Sequence, residues 1–335
     1  MIAVVGAGSW GTALAIHLAR TGAPVRLWAR EPEIVDGIRT RRRNPLYMPD
    51  FDVPREVEVT GDVRAAVGGA DVIVMVVPSE YFAPTLATVP APRETVIVSA
   101  TKGFDPVRHV RMTELVHERF PGAQVAALSG PTFAREVALG TPTAAVVAAA
   151  DDALATMLQT RLGARAFRLY ANRDVVGVEA GGALKNVMAL ATGLSDGLGL
   201  GENARAALIT RGLAEMSRLA IALGGEPATL AGLAGMGDLV LTATGTLSRN
   251  RSLGMALARG DSLSAASGKT LMIAEGVPTV RSALALASRY RVSMPICAEV
   301  AAVLFDGKPA ADALTSLLGR APTREDMPVE GRRRA

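Results

Sequence analysis

The chain has 335 residues, of which 49% are hydrophobic, 4% aromatic and 20% charged, with a formal net charge of +4 at pH 7. That length and apolar content suit two domains with sizeable cores and exclude a disordered or fibrous chain. Basic residues are scattered, apart from Arg41-Arg42-Arg43 and a short C-terminal arginine run, which argues against a nucleic-acid-binding face.

Met1-Ile-Ala-Val-Val reads as a short apolar strand, and no signal peptide is expected. It runs into Gly6-Ala-Gly-Ser-Trp-Gly11 and a helical pattern that ends at Arg20. In such a unit Gly6 permits the tight turn, Gly8 lets backbone approach a pyrophosphate, and Gly11 lets helix pack on strand. The helix N-terminus adds positive potential, so the unit predicts dinucleotide binding. Val25-Arg-Leu-Trp-Ala reads as the second strand and Glu31 to Thr40 as the second helix. At the end of that strand a carboxylate would chelate the ribose of NAD, whereas arginine favours the 2′-phosphate of NADP. Arg30 stands there with Glu31 beside it, so NADPH is favoured and NAD remains open.

Asp71-Val-Ile-Val-Met-Val-Val is a continuous apolar strand stopped by Pro78, and Thr95-Val-Ile-Val-Ser and Val125-Ala-Ala-Leu-Ser are two more. Thr143 to Ala149 and Ala166 to Tyr170 read as late strands that extend the sheet. Unbroken apolar strands alternating with helices predict a parallel sheet covered on both faces. Residues 1–171 are therefore expected to form an α/β, Rossmann-type dinucleotide-binding domain. After Ala171 strand-like runs give way to long Ala/Leu/Met periodic segments, so 172–319 is expected to be all-α, with 320–335 a flexible tail. No apolar stretch spans a bilayer, and a cytoplasmic protein with no integral membrane segment is expected. The lone Cys297 excludes an internal disulfide and reads as a small core residue. His17, His109 and His117 are dispersed along predicted helices without ligand spacing, so no metal is expected.

Lysine usage marks candidate chemistry. Only Lys102, Lys185, Lys269 and Lys308 are lysine among the 36 basic residues. Lys185 lies in the apolar run Val178-Glu-Ala-Gly-Gly-Ala-Leu-Lys-Asn-Val-Met-Ala-Leu. A buried ammonium can give or take a proton, which a guanidinium cannot. Lys102, in Ser99-Ala-Thr-Lys-Gly103, follows a strand and can reach an anionic substrate; Ser129-Gly-Pro-Thr-Phe-Ala134 offers small residues before a helix start. Asp238 and Thr242 are spaced one helical turn apart if their segment is helical. Ser248-Arg249-Asn250, read as a loop, suits an anion clamp, because a guanidinium fork binds phosphate oxygens. Ser267-Gly-Lys-Thr270 matches the end of a phosphate-binding P-loop, but Leu263 stands where that loop needs glycine.

GAGSWGTALA, SATKG, LSGPTFAREVA, GGALKNVMALATGLSDGLGLGENARAALITRG, GLAGMGDLVLT, SRNRSLG and IAEGVPT occur in order from Gly6 to Thr279. In these seven motifs the chain resembles bacterial-type glycerol-3-phosphate dehydrogenases. The resemblance implies reversible NAD(P)H-dependent reduction of dihydroxyacetone phosphate to sn-glycerol 3-phosphate, which supplies glycerophospholipid synthesis. It implies dinucleotide contacts at Ser9, Trp10, Arg30, Lys102, Ala134, Arg249, Ile273 and Glu275. Substrate contacts are implied at Lys102, Gly130, Thr132, Asp238, Ser248, Arg249 and Asn250, with Asn186 and Thr242 assigned to the same site. Lys185 matches the proton-transfer residue. The helical half would be similar to the C-terminal domain of 6-phosphogluconate dehydrogenases, and the enzyme would be a homodimer. Related dehydrogenases of this architecture, the β-hydroxyacid dehydrogenases and ketopantoate reductases, also use a lysine but act on carboxylates.

Overall fold

The structure, a computed structural model, describes residues 1–90, 95–267 and 274–321. The expected contact at Ile273, the Gly268-Lys269-Thr270 segment and most of the expected tail lie outside the described residues. Two compact units are resolved: one comprises Met1–Asp105 and Val110–Val175, and the other begins at Val176 and also takes in Pro106–His109.

The first unit is built on strands β1 (Ile2–Val5), β2 (Val25–Trp28), β5 (Val57–Thr60), β6 (Val72–Met75), β7 (Val96–Ser99), β8 (Gln124–Ser129), β9 (Thr143–Ala149) and β10 (Phe167–Asn172). They form one sheet in the order β10-β9-β8-β7-β6-β1-β2-β5. Successive side chains on a strand point to opposite faces. Ile2 and Val4 of β1 accordingly join one core, with Leu14, Leu18, Leu154 and Leu158. Ala3 and Val5 join the other, with Phe82, Leu86, Met112 and Leu115. Both faces are thus covered, and this is why the central strands read as unbroken apolar runs.

β9 and β10 extend the sheet, but β9 runs antiparallel to β8, a departure from the expected all-parallel order. The connection contains only the helix Ala134–Leu139. Six helical residues rise about 9 Å, short of the roughly 20 Å needed to return along a six-residue strand. The chain therefore starts β9 at the edge where β8 ended. A short antiparallel pair, β3 (Arg43–Asn44) with β4 (Met48–Asp52), and the edge strand β5 carry too few apolar residues to stand out in the sequence. His109, expected in a helix, lies outside any helix with φ +56°, after Pro106, which lacks the N–H a continuing helix needs.

Among its described residues the second unit has helices and no strand. The helix Val175–Gly197 is buried from Gly177 through Ser195. Glycine permits its neighbours to touch its backbone: a Cβ on Gly193 would overlap the Arg251 carbonyl oxygen, and one on Gly254 the Leu190 carbonyl oxygen. Cys297 is fully buried, and burial pushes its thiol pKa up, so it packs as an inert small residue.

Glu215, on the helix Gly201–Ala222, is 2% exposed and accepts hydrogen bonds from the Ile296 and Cys297 N–H groups at 2.8 and 3.3 Å. These N–H groups open the helix Pro295–Phe305 and have no intrahelical acceptor. Burial pushes the Glu215 carboxyl up to about 7, against the pull of those two hydrogen bonds. The folded protein thus holds this proton more tightly than the unfolded chain, in which a glutamate titrates near 4.5. The resulting stability is complete below that value and is lost as pH rises through about 7, a change of at most about 3 kcal/mol. Glu215→Gln is expected to flatten this dependence in urea unfolding curves recorded at pH 5.5 and pH 8.

Candidate active site

In the first unit the glycine-rich turn is built as its spacing requires. Gly6 has φ +118°, and a Cβ there would lie 2.7 Å from the Val76 carbonyl oxygen; a Cβ on Gly11 would overlap the Gly6 carbonyl oxygen. A Cβ on Gly8, by contrast, would meet nothing within 4 Å, so the space over the N-terminus of the helix Ser9–Arg20 is open. Among the described residues no side chain caps that helix. The Trp10 ring tilts against Phe167, and among the described residues its buried Nε1 has no hydrogen-bond partner; neither do the buried Ser99 and Ser129 hydroxyls at the carboxyl ends of β7 and β8. An open cradle at a helix N-terminus with buried polar groups wanting partners fits a dinucleotide.

Asn44, which sequence reasoning missed, is fully buried and fastens this turn. Its amide donates to the Ala7 carbonyl and to the Thr12 hydroxyl, both at 2.8 Å, while its carbonyl accepts from the Leu46 and Tyr47 N–H groups. Its only sequence signal was a short polar residue after a run of three arginines. Ser9 donates its hydroxyl to the Tyr47 carbonyl at 3.3 Å. Arg30 is exposed; Glu31 accepts from its Nε and Nη2, and its guanidinium lies 5.2 Å from the Tyr81 ring centre.

At the carboxyl edge of adjacent strands β7 and β8 the structure joins three predicted residues. Lys102 donates to the Gly130 carbonyl at 2.7 Å and to the Thr132 hydroxyl at 3.1 Å, and that hydroxyl donates to the same carbonyl. Gly130 has φ +137°, with β9 too close for a side chain: a Cβ would stand 2.9 Å from the Ala145 Cα. Ala134 opens the following helix.

In the second unit Lys185 is 6% exposed and Asp238 1%. The Lys185 ammonium donates to Asp238 Oδ1 and to the Thr242 hydroxyl, each at 2.8 Å. Asp238 and Thr242 do share a helix, Asp238–Thr244, and the Thr242 hydroxyl donates back to the Asp238 carbonyl at 2.6 Å. A π-helical turn, Leu233–Gly237, leads into that helix. Gly181, one turn before Lys185, lets this turn press on the Lys185 helix, because a Cβ there would lie 2.5 Å from the Ala234 carbonyl oxygen. The widened turn and the glycine together bring Asp238 onto the ammonium.

Ser248-Arg249-Asn250, expected as a loop, instead begins the helix Arg249–Ala258. Ser248 is its N-cap, accepting from the Arg251 N–H at 3.2 Å. The reason is local: serine caps a first turn well, and its side-chain oxygen here satisfies one of that turn's N–H groups. Asn250 is locked from two sides, donating to Asn186 Oδ1 at 2.9 Å and accepting from the Gly276 N–H at 3.0 Å. Asn186, beside Lys185, is thereby tied to the helix Arg249–Ala258, and that helix to the helix Gly276–Tyr290, whose N-cap is Glu275. Burial lowers the Arg249 pKa, and the Glu275 carboxylate opposes that. Among the described residues no group of three His, Cys, Asp or Glu side chains is placed to hold a metal, and no helix is long and apolar enough to cross a membrane.

Two family models match the chain: the NAD-dependent glycerol-3-phosphate dehydrogenase N-terminus over residues 1–155 and the corresponding C-terminus over residues 174–315. A glycerol-3-phosphate dehydrogenase (NAD(P)+) of Geobacter sp. (strain M21) is 50% identical over 324 residues, covering 95% of this chain and 97% of that protein. A protein of the same description from Koribacter versatilis is 49% identical, covering 97% and 98%. The crystal structure of glycerol-3-phosphate dehydrogenase from Coxiella burnetii superposes with a TM-score of 0.91 at 41% identity, over 95% of this chain and 98% of that one.

Removing one partner of a buried ion pair strands the other charge and costs about 3–5 kcal/mol. Asp238→Ala is expected to lose that much in urea unfolding followed by helical circular dichroism. The double variant Lys185→Met with Asp238→Leu, which removes both charges of the pair, is expected to recover most of it.

Proposed function

The chain belongs to the NAD-dependent glycerol-3-phosphate dehydrogenase family, and from that membership we propose its reaction. A hydride passes reversibly between a nicotinamide dinucleotide and dihydroxyacetone phosphate, giving sn-glycerol 3-phosphate, and Lys185 moves the proton. The observation that carries the assignment of Lys185 is its buried ammonium, held at 2.8 Å by both Asp238 and Thr242.

When bound, NADH or NADPH supplies the hydride to the ketone carbon. Negative charge then grows on the ketone oxygen, and a positioned ammonium stabilises it and gives up a proton to complete the alcohol. In the reverse direction the neutral amine takes that proton back. Asp238 favours the charged amine and fixes its direction, and the Thr242 hydroxyl fixes a second N–H. Arginine would keep the charge but not exchange the proton.

The phosphate is assigned to Ser248, Arg249 and Asn250. A ten-residue helix presents its positive end there, and Arg249 adds a guanidinium fork. In the first unit Lys102, Gly130 and Thr132 are assigned to substrate. Gly6, Gly8, Ser9, Trp10, Gly11, Arg30 and Ala134 are assigned to the dinucleotide, as are Lys102, Arg249 and Glu275. Arg30 favours the 2′-phosphate of NADPH, although the Glu31 carboxylate already holds its Nε and Nη2. The proposal extends to a cytoplasmic homodimer that feeds glycerophospholipid synthesis, supported by the family; sedimentation equilibrium tests the dimer.

Oxidation of NADH and NADPH followed at 340 nm is expected to require dihydroxyacetone phosphate and to show none with ketopantoate; the opposite pattern would overturn the assignment. Lys185→Arg is expected to lower kcat by about 100-fold or more, the ordinary worth of a general acid. Arg30→Ser is expected to raise the KM for NADPH by about tenfold, equivalent to one charge-assisted contact, with the KM for NADH little changed.

A further inference from the structure

The helix that carries Lys185 bears a second buried charged side chain on the same face, a carboxylate. Asp196 lies eleven residues further on, three turns away and within about 20° of the direction of Lys185 at 100° per residue. Its side chain is 4% exposed. Oδ2 accepts from Arg251 Nε at 2.6 Å. Oδ1 accepts from Arg205 Nε at 2.8 Å and pairs with Arg205 Nη2 at 2.7 Å. Arg205 is held on its outer side by Glu202. Charge-assisted bonds of this length are the strong, directional ones.

Arg251 connects this pair to the substrate clamp. Its side chain goes to Asp196, while its backbone N–H donates to the Ser248 hydroxyl at 3.2 Å. One residue therefore stands between the buried carboxylate and the N-cap of the clamp helix Arg249–Ala258. The two helices are also joined by the Asn250–Asn186 amide bond, and elsewhere they meet backbone to backbone, through Gly193 beneath Arg251 and Gly254 beneath Leu190. Such a contact sets how closely the helices approach. With no side chain interlocked at the glycines, it does little to set where one lies along the other. A slip of a single residue rise, about 1.5 Å, would carry Ser248 and Arg249 out of hydrogen-bonding range of a bound phosphate.

We infer that Asp196 is a positioning residue of the phosphate clamp, acting through Arg251 to fix the start of the helix Arg249–Ala258. The inference rests on the assignment of Ser248, Arg249 and Asn250 to the phosphate. The Lys185 helix then places both ends of the substrate from one face: its Lys185–Asp238 pair orients the proton donor, and its Asp196–Arg251 pair, with the charges exchanged, sets the clamp. Arg205 binds the second carboxylate oxygen, so that Asp196 stays directed although its side chain is almost fully buried.

Asp196→Asn keeps the shape but places an N–H donor where one arginine requires an acceptor. With the full-length enzyme it is expected to raise the KM for dihydroxyacetone phosphate about tenfold or more while kcat stays within about threefold, the signature of lost ground-state positioning. Inorganic phosphate, used as a competitive inhibitor, is expected to weaken by a similar factor. Arg251→Gln, at a less buried side chain, reads the same contact from the other partner and is expected to give the same KM. The double variant is expected to be no worse than either single one. A lower melting temperature with an unchanged KM would mean that Asp196 is merely structural and would overturn the inference. So would additive effects of the two substitutions, or a loss confined to kcat. Two controls separate this from failure of the underlying reading. Without wild-type turnover of dihydroxyacetone phosphate the reaction assignment falls, and the inference with it. If Arg249→Lys leaves the KM unchanged, the clamp falls, and the inference again with it. Turnover together with a raised KM in Arg249→Lys but an unchanged one in Asp196→Asn overturns the positioning role alone.

Discussion

The helical unit is organised around one buried ion pair, Lys185 with Asp238. An ammonium 6% exposed cannot stay charged in an apolar surround unless a carboxylate and further polar groups replace its water. Much of the local architecture follows from that requirement. The carboxylate must come from another segment, so the helix Asp238–Thr244 must approach closely. Gly181 and the π-helical turn Leu233–Gly237 make the approach sterically possible. π-helical turns cost backbone hydrogen-bond geometry and concentrate at functional sites. Here the turn precedes the residue that holds the Lys185 ammonium.

The same helix shows how small residues and charges divide their work. Glycines remove side chains wherever a neighbour's backbone must touch, which sets distance. Buried ionic and amide contacts at Lys185, Asn186 and Asp196 then set orientation. Neither would suffice alone: glycine contacts are smooth, and an ion pair without close packing would be screened by water. The nucleotide unit follows a related rule. Gly6, Gly8 and Gly11 create the cradle, and the buried amide of Asn44 secures it through the Ala7 carbonyl and the Thr12 hydroxyl.

Much of the fold was legible because it depends on local pattern. Five of the six inner strands, all but β2, are apolar without interruption since both faces are covered, and the fingerprint occupies its required place between strand and helix. The departures have equally local causes. β5 and the β3–β4 pair carry too few apolar residues to signal strands, and the reversal at β9 depends on how far a six-residue helix can carry the chain. Ser248-Arg249-Asn250 looked like a polar loop because N-cap residues and loop residues are the same types. Only the continuing hydrogen bonds distinguish them. The candidate site residues were found one motif at a time. Asn44 and Asp196 were missed, since each is an ordinary polar residue in isolation.

By itself the sequence determined the two-part α/β and all-helical plan, the dinucleotide fingerprint, and a lysine kept where the chain otherwise writes arginine. These are properties of a few adjacent residues, which backbone sterics and periodicity decide. Only the tertiary structure decided which groups meet. Lys185 and Asp238 are 53 residues apart, Asp196 and Arg251 are 55, and Asn186 and Asn250 are 64. No local periodicity encodes such pairings. They follow from where helices cross, and here the crossings are set by glycines whose missing side chains let one backbone rest on another.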